Sequence, residues 1–386
     1  MKLEGVNVLD LSLFLPGPHF TMMMADHGAN VISLEPTSGE PVRHVGLKQN
    51  QQSVWFRNVF RGKQSINLNL KTEEGKLAFY KLCEKVDVVV EAFRPGVVKR
   101  LGIDYDTIKK INPAIVYCSI SAYGQTGPKA LAPAHDLSIQ ADSGSLFINE
   151  GQDGKPAQPA MPVADMAGSL MAFSGVLMAL IRQQKTGQGD YLDISMQDSL
   201  VAWYANVMGP PFAENRSPTP KEERSWGGAA MYNIYKTKDN QYLTLGGSEL
   251  KFAHNLLSSF GRDDLYELCK QPPGKAQNPV KDFLSNTFAS EDLAHWQSYL
   301  SNIDVCWAPV RELNDAIRDE HLAARDMLLM DEDGNYHLGV PIKYRNEPAN
   351  PQFTLPELSE HTSSVLLSLG YTEAEINEYR AKHIFV

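Results

Sequence analysis

The chain is poor in cysteine: Cys83, Cys118, Cys269 and Cys306 are its only four in 386 residues, far apart and with no CxxC or CxxH pairing. That argues against a disulfide framework or a thiolate zinc site and fits a reducing cytoplasm. Positive charge is also short, since 36 Lys and Arg face 46 Asp and Glu for a net charge of −10. Broad binding to nucleic acid or to an anionic membrane is not expected, although a local basic pocket remains open. No GxxxxGK[ST], HExxH or GxSxG occurs, so P-loop, zinc-peptidase and α/β-hydrolase chemistries have no foothold. Thr186-Gly187-Gln188-Gly189 reads as a helix C-cap and turn rather than a nucleotide loop. The longest apolar stretch, 166–181, is interrupted by Gly168, Ser169, Ser174 and Gly175. It reads as a buried helix too short to span a bilayer. The N-terminal residues run straight into a strand-like pattern without a signal-peptide core. The resulting expectation is a cytoplasmic protein with no metal site, no nucleic-acid partner and no membrane span.

What is present is an ordinary globular composition, 43% hydrophobic and 21% charged, in a chain long enough for two domains. Short β-branched runs at 6–11, 30–34, 65–70, 86–92 and 115–120 alternate with helical patterns such as 20–27 and 72–85. This alternation, with near-continuous apolar strands, predicts an α/β fold built on a parallel sheet covered on both faces. Another strand is predicted at 190–195 and a helix at 197–208. Residues 209–225 then bring Gly209-Pro210-Pro211, Pro218, Pro220 and the charge cluster Lys221-Glu222-Glu223-Arg224, a composition that reads as a break. A hairpin is predicted at 231–235 and 242–245, followed by helices to about 317. The expected domains are 1–200 completed by 326–386, a linker at 201–225, and a smaller α+β domain at 226–325.

The chemistry is carried by a polar pair in apolar surroundings, His135 and Asp165, thirty positions apart. Asp165 opens the apolar helical run, where a carboxylate either caps the helix or does chemistry. A helix N-terminus there also favours negative charge developing on a substrate oxygen. Asp136, next to His135, is placed to orient or charge the imidazole. Glu249 follows Gly246-Gly247-Ser248 as a first-turn helix acid. Among the basic residues of the first domain, Arg94 directly follows a predicted parallel strand, where open α/β sheets bind their ligands, and is a candidate for phosphate. Arg43, Arg61, Lys63, Lys99 and Arg100 read equally well as phosphate contacts or as solvated surface charge.

Several segments, taken together and in order, resemble the family III CoA-transferase and α-methylacyl-CoA racemase superfamily. They are Leu3-Glu4-Gly5-Val6-Asn7-Val8-Leu9-Asp10, Leu15-Pro16-Gly17-Pro18, Ala25-Asp26-His27-Gly28-Ala29, Phe93-Arg94-Pro95-Gly96, Ser121-Ala122-Tyr123-Gly124-Gln125-Thr126-Gly127-Pro128, Val163-Ala164-Asp165, Lys185-Thr186-Gly187-Gln188-Gly189 and Leu369-Gly370-Tyr371. The resemblance implies a Rossmann-like large domain made from both chain ends, a smaller domain and an interlocked homodimer. It also implies an acyl-CoA ligand, with no cofactor beyond coenzyme A, lying against Pro16, Gly17, Tyr123, Gly124 and the basic residues Arg43, Arg61, Lys63 and Arg94. In the transferases an aspartate at the Asp165 position resembles a nucleophile that forms a mixed anhydride. In the racemases it pairs with a histidine thirty residues earlier to move the α-proton of a 2-methylacyl-CoA through an enolate. The histidine, the stretch Gly227-Gly228-Ala229-Ala230-Met231-Tyr232 and Glu249 resemble the racemases. Ala134 and the stretch 137–142 depart from them toward the transferases. The expectation is therefore racemase chemistry, with His135 and Asp165 exchanging proton roles, Asp136 or Glu249 orienting the imidazole, and amides at the helix start holding the enolate. CoA transfer is the alternative.

Overall fold

The computed structural model describes residues 1–151 and 153–385. They form two compact units, one of Met1–Gly144, Pro159–Tyr204 and Glu320–Val386, the other of Ser145–Gln158 and Ala205–Asp319.

The first unit is built on six parallel strands: β1 (Asn7–Asp10), β2 (Asn30–Glu35), β3 (Gln64–Asn67), β4 (Val88–Glu91), β5 (Val116–Ser121) and β6 (Tyr191–Ser195). Their order across the sheet is β3-β2-β1-β4-β5-β6. Because strand side chains alternate between faces, neighbouring residues serve opposite cores. Val8, Val88 and Val90 join one cluster with Met24 and the helix residues Ala172 and Val176. Leu9 and Val89 join the other, with Phe79, Leu82 and Val365. That is why the central strands are apolar through most of their length, as the sequence pattern required, with acids such as Asp10 and Glu91 confined to their carboxyl ends. Helices α1 (Pro16–Asp26), α2 (Glu73–Cys83), α3 (Tyr105–Ile111), α4 (Asp136–Asp142) and α5 (Val163–Thr186) connect or follow the strands. Thr72 caps α2 through its hydroxyl, which accepts from the Gly75 amide at 3.1 Å. The C-terminal segment closes the β3 edge, where the amide of Asn67 donates to Thr362 Oγ1 at 3.0 Å and that of His361 to the Ser65 carbonyl at 2.9 Å.

The buried helix expected at 166–181 extends over 24 residues and is long and apolar enough to cross a membrane. Length therefore does not exclude a span, contrary to the sequence expectation. One face of α5, including Ala167, Phe173, Val176 and Leu180, is buried in the core of the first unit.

The second unit has an antiparallel sheet of β7 (Tyr232–Lys236), β8 (Tyr242–Gly246) and β9 (Trp307–Pro309), covered by α6 (Leu250–Ser259), α7 (Asn278–Phe288) and α8 (Leu293–Leu300). The expected linker at 201–225 is instead structured, and from Ala205 onward it belongs to this unit together with 145–158. Its charges are paired within the unit: Arg216 reaches Glu214 and Glu223 at 2.6 Å each, and Lys221 reaches Glu150 at 3.0 Å.

Candidate active site at the carboxyl edge of the parallel sheet

In a sheet of this order the chain leaves β1 and β4 in opposite directions, and a crevice opens outside their carboxyl ends. The loop after β1 runs from Leu11 to Leu15 and enters α1 at Pro16, and the loop after β4 carries Phe93 and Arg94. Both are anchored by buried acids. Asp10 accepts from the Ser12 amide at 2.9 Å, from Thr21 Oγ1 at 2.5 Å and from Lys63 Nζ at 3.2 Å. Glu91, pushed up to about 7 by burial, accepts from the Phe93 amide at 2.7 Å and from the Ser119 hydroxyl. Pro16 and Gly17 are buried in this packing, and a Cβ on Gly17 would lie 2.0 Å from Ser12 Oγ. The glycine is needed to seat the helix against the loop.

Phe14 stands at the tip of the first loop with φ of +65°, in the left-handed region that a non-glycine residue adopts only when held there. The holder is Glu40, whose Oε1 accepts from the Phe14 amide at 2.9 Å. The ring of Phe14 meets that of His135 edge-on, with centroids 6.4 Å apart. His135 is thereby placed beside the β1 loop, exposed, at the N-cap of α4.

Asp165 lies in the first turn of α5, and the side chain that caps that helix is not its own. Asp136 Oδ1 accepts from the amides of Ala164 at 2.8 Å and Asp165 at 3.2 Å, while Oδ2 takes a bond of 2.6 Å from Gln140. The starts of α4 and α5 are thus joined, because the residue after His135 is bonded to the amide of Asp165. Two expectations change with this. Asp136 forms no hydrogen bond to the His135 ring among the described residues, its oxygens accepting instead from α5 and Gln140. The start of α5 offers no free amide for an enolate oxygen either, because Val163 and Met166 donate to the carbonyls of Met161 and Pro162. Burial first, and the Asp136 charge second, push the Asp165 carboxyl up to about 7.

Of the expected phosphate contacts, Arg94 is exposed and forms no ion pair among the described residues. Arg43, Arg61 and Lys63 are not available. Arg43 forks onto Glu35 at 2.6 and 2.7 Å, Arg61 onto Asp26 at 2.7 and 3.0 Å, and Lys63 is enclosed by Asp10, Thr21 and the Pro18 carbonyl. A phosphate displacing any of them would strand a buried carboxylate. Tyr123 and Gly124 form a turn after β5 whose next amide, Gln125, donates to both Asp193 oxygens at 3.0 Å. Glu249 belongs to the second unit, exposed at the N-cap of α6, and its side chain caps nothing there.

A sequence model of CoA-transferase family III matches residues 3–362. The chain belongs to CoA-transferase family III. It is accordingly an acyl-CoA enzyme. This family III chain is 31% identical, over 96% of its length and 97% of the other's, to the acetyl-CoA:oxalate CoA-transferase of Acetobacter aceti. It is 29% identical, over 100% and 97%, to the human alpha-methylacyl-CoA racemase. Among solved structures, a CAIB/BAIF family protein from Brucella suis superposes with a TM-score of 0.82 at 27% identity, covering 95% of this chain and 99% of that one.

Two further groups, one bonded to α5 and one to the β1 loop, carry no signal in the sequence. His19, on α1, shares a bond of 2.8 Å between its Nδ1 and Ser169 Oγ, one helical turn beyond Asp165. Burial, then Lys63 and Arg61, hold it down to about 4, so it is a neutral imidazole at physiological pH. Glu40 is buried, with Oε2 lacking a hydrogen-bond partner among the described residues, and burial raises it to about 7. Their partners lie 150 and 26 positions away, beyond the reach of any local pattern.

Proposed function

We propose that this enzyme moves CoA between carboxylic acids, with Asp165 as the nucleophile. The observation that supports this most is the Asp165 carboxylate itself. It is half-buried at the start of α5 and accepts no hydrogen bond among the described residues, while its raised pKa makes it a stronger nucleophile once ionised. In this reading one carboxylate oxygen attacks the thioester carbonyl, forming a mixed anhydride and expelling the CoA thiolate. The thiolate then attacks the aspartyl carbonyl and releases the donor acid. The acceptor carboxylate attacks the resulting aspartyl thioester, expelling the thiolate and forming a second mixed anhydride. The thiolate then attacks the acceptor acyl carbonyl of that anhydride, giving the new acyl-CoA and restoring the Asp165 carboxylate. Arg94 holds the CoA phosphates, His135 lines the pocket, and relatives named as CoA-transferases lie at 31% and 32% identity.

The test is hydroxylamine trapping during turnover with a donor thioester and an acceptor acid. Hydroxamate on the peptide carrying Asp165 is expected. The opposing result is α-deuterium incorporation from heavy water into a 2-methylacyl-CoA without any hydroxamate. That result would favour the racemase reading, which rests on the residue next to His135 being bonded to the amide of Asp165. Against it stands the imidazole, which lacks the oriented partner that would fix its tautomer within the first unit.

A further inference from the structure

The second unit holds a cation that no carboxylate of that unit neutralises. Arg224 donates from Nε and Nη2 to the single oxygen of Ser248, at 3.2 and 2.9 Å, and forms no ion pair among the described residues. A guanidinium has five N–H donors, so three remain unspent. They border a cavity of about 310 Å³ whose wall includes Arg224, Ser248, Trp226, Tyr232 and Pro210, a volume at the lower end of small-molecule sites. Arg224 and Ser248 also line a second cavity of about 140 Å³. The nearest acid on the larger wall, Glu223, is already committed: Arg216 Nη1 lies 2.6 Å from its Oε1, and that pairing holds its carboxyl below the ordinary range.

The backbone presents these groups by a turn that only glycine can make. Gly227 has φ of +81°, and a Cβ on Gly228 would sit 2.4 Å from the carbonyl oxygens of Glu222 and Glu223. The pair reverses the chain directly after Arg224-Ser225-Trp226, so that all three border the same cavity. A fixed cation beside a hydroxyl, flanked by an indole, a phenol and a proline, suits an anionic head on a short carbon body. The guanidinium fork matches a carboxylate's two oxygens and single charge, and no second cation among the described residues lines this cavity to meet a phosphate's further charge.

We propose that this cavity binds the carboxylate of a small organic acid, Arg224 gripping the head while Trp226 and Tyr232 flank the carbon chain. The proposal deepens the CoA-transfer reading, on which it rests for the choice of a free acid as ligand.

The experiment is calorimetric titration of the full-length protein with hexanoate, its neutral isostere hexanamide, and inorganic phosphate, with no thioester present. Hexanoate is expected to bind, with hexanamide and phosphate weaker by about tenfold or more. Arg224→Gln should weaken hexanoate by about tenfold without lowering the melting temperature, Arg224→Lys should fall between, and Asp165→Asn should bind like the parent. The proposal is overturned if hexanoate does not bind, if Arg224→Gln leaves its affinity unchanged, if phosphate binds as well, or if Asp165→Asn loses as much as Arg224→Gln. Aspartyl hydroxamate without hexanoate binding would sink the cavity and leave CoA transfer standing. Hexanoate held by Arg224 in a protein that forms no hydroxamate would do the reverse.

Discussion

The carboxylate of Asp136 accepts the amide hydrogen of Asp165 at 3.2 Å. One acid thus builds the helix start on which the other works, and its charge also helps keep that second acid protonated. The two roles separate by substitution. Asp136→Asn keeps an acceptor oxygen but removes the charge, so the Asp165 carboxyl should titrate lower and the acidic limb of the pH–rate profile should move to lower pH, though only in part, because burial is the larger cause. Asp136→Ala also loses the cap and should cost about 1 kcal/mol of stability. An unmoved acidic limb in the Asn variant would show that the Asp136 charge is not felt at Asp165.

Asp165 should weaken the fold it sits in. Burial raises its folded pKa to about 7, well above the ordinary carboxylate range, so the folded state binds the proton more tightly than the unfolded chain. That preference stabilises the protein fully below about pH 4 and is lost as pH rises toward 7. Asp165→Asn removes the penalty and should be more stable than the parent at pH 8 by roughly 1–2 kcal/mol, discounted for partial exposure, with little difference at pH 4. Urea unfolding at both pH values measures this. Equal stabilities at pH 8 would mean that the carboxylate is adequately solvated.

Glu40 should matter to catalysis without touching substrate. It fixes the left-handed Phe14, and Phe14 packs against His135. Glu40→Ala is expected to lower kcat more than it raises KM, because the β1 loop loses its anchor. Glu40→Gln can still accept the Phe14 amide and should recover most of the activity. A Gln variant as impaired as the Ala variant would show that the charge, not the hydrogen bond, is what counts.

The sheet was legible because alternation of Val8 with Leu9, and of Val88 with Val89 and Val90, is a local property of strands that feed two cores. Asp165 was legible for a related reason, as a lone carboxylate entering an apolar helix. What stayed hidden depended on partners distant in sequence. Arg43, Arg61 and Lys63 look identical to ligand-binding cations until Glu35, Asp26 and Asp10 are seen against them. Asp136 looked like a histidine orienter because adjacency in sequence is visible, whereas the two amides it caps lie 28 and 29 positions away. The segment after Met208 read as a linker because composition records prolines and charges but not that Arg216 and Lys221 find partners within the same unit.

Arg61 and Arg94 make opposite predictions from the same side chain. Arg61 is buried and bidentate to Asp26, with a further bond of 2.5 Å to the Leu338 carbonyl. Arg61→Ala leaves Asp26 buried and unpaired and should cost about 3–5 kcal/mol, while the folded fraction keeps its CoA affinity. Arg94 is exposed beyond β4, so Arg94→Gln should change stability by less than about 0.5 kcal/mol. It should nevertheless weaken CoA binding, and the loss should shrink as added salt screens the parent's own phosphate contact. Thermal melts and CoA titrations at two ionic strengths separate the cases. If Arg94→Gln bound CoA like the parent at low salt, the phosphates would have to be held elsewhere, and Lys99 and Arg100, exposed on the short helix Val97–Leu101 that follows, would be the next residues to change.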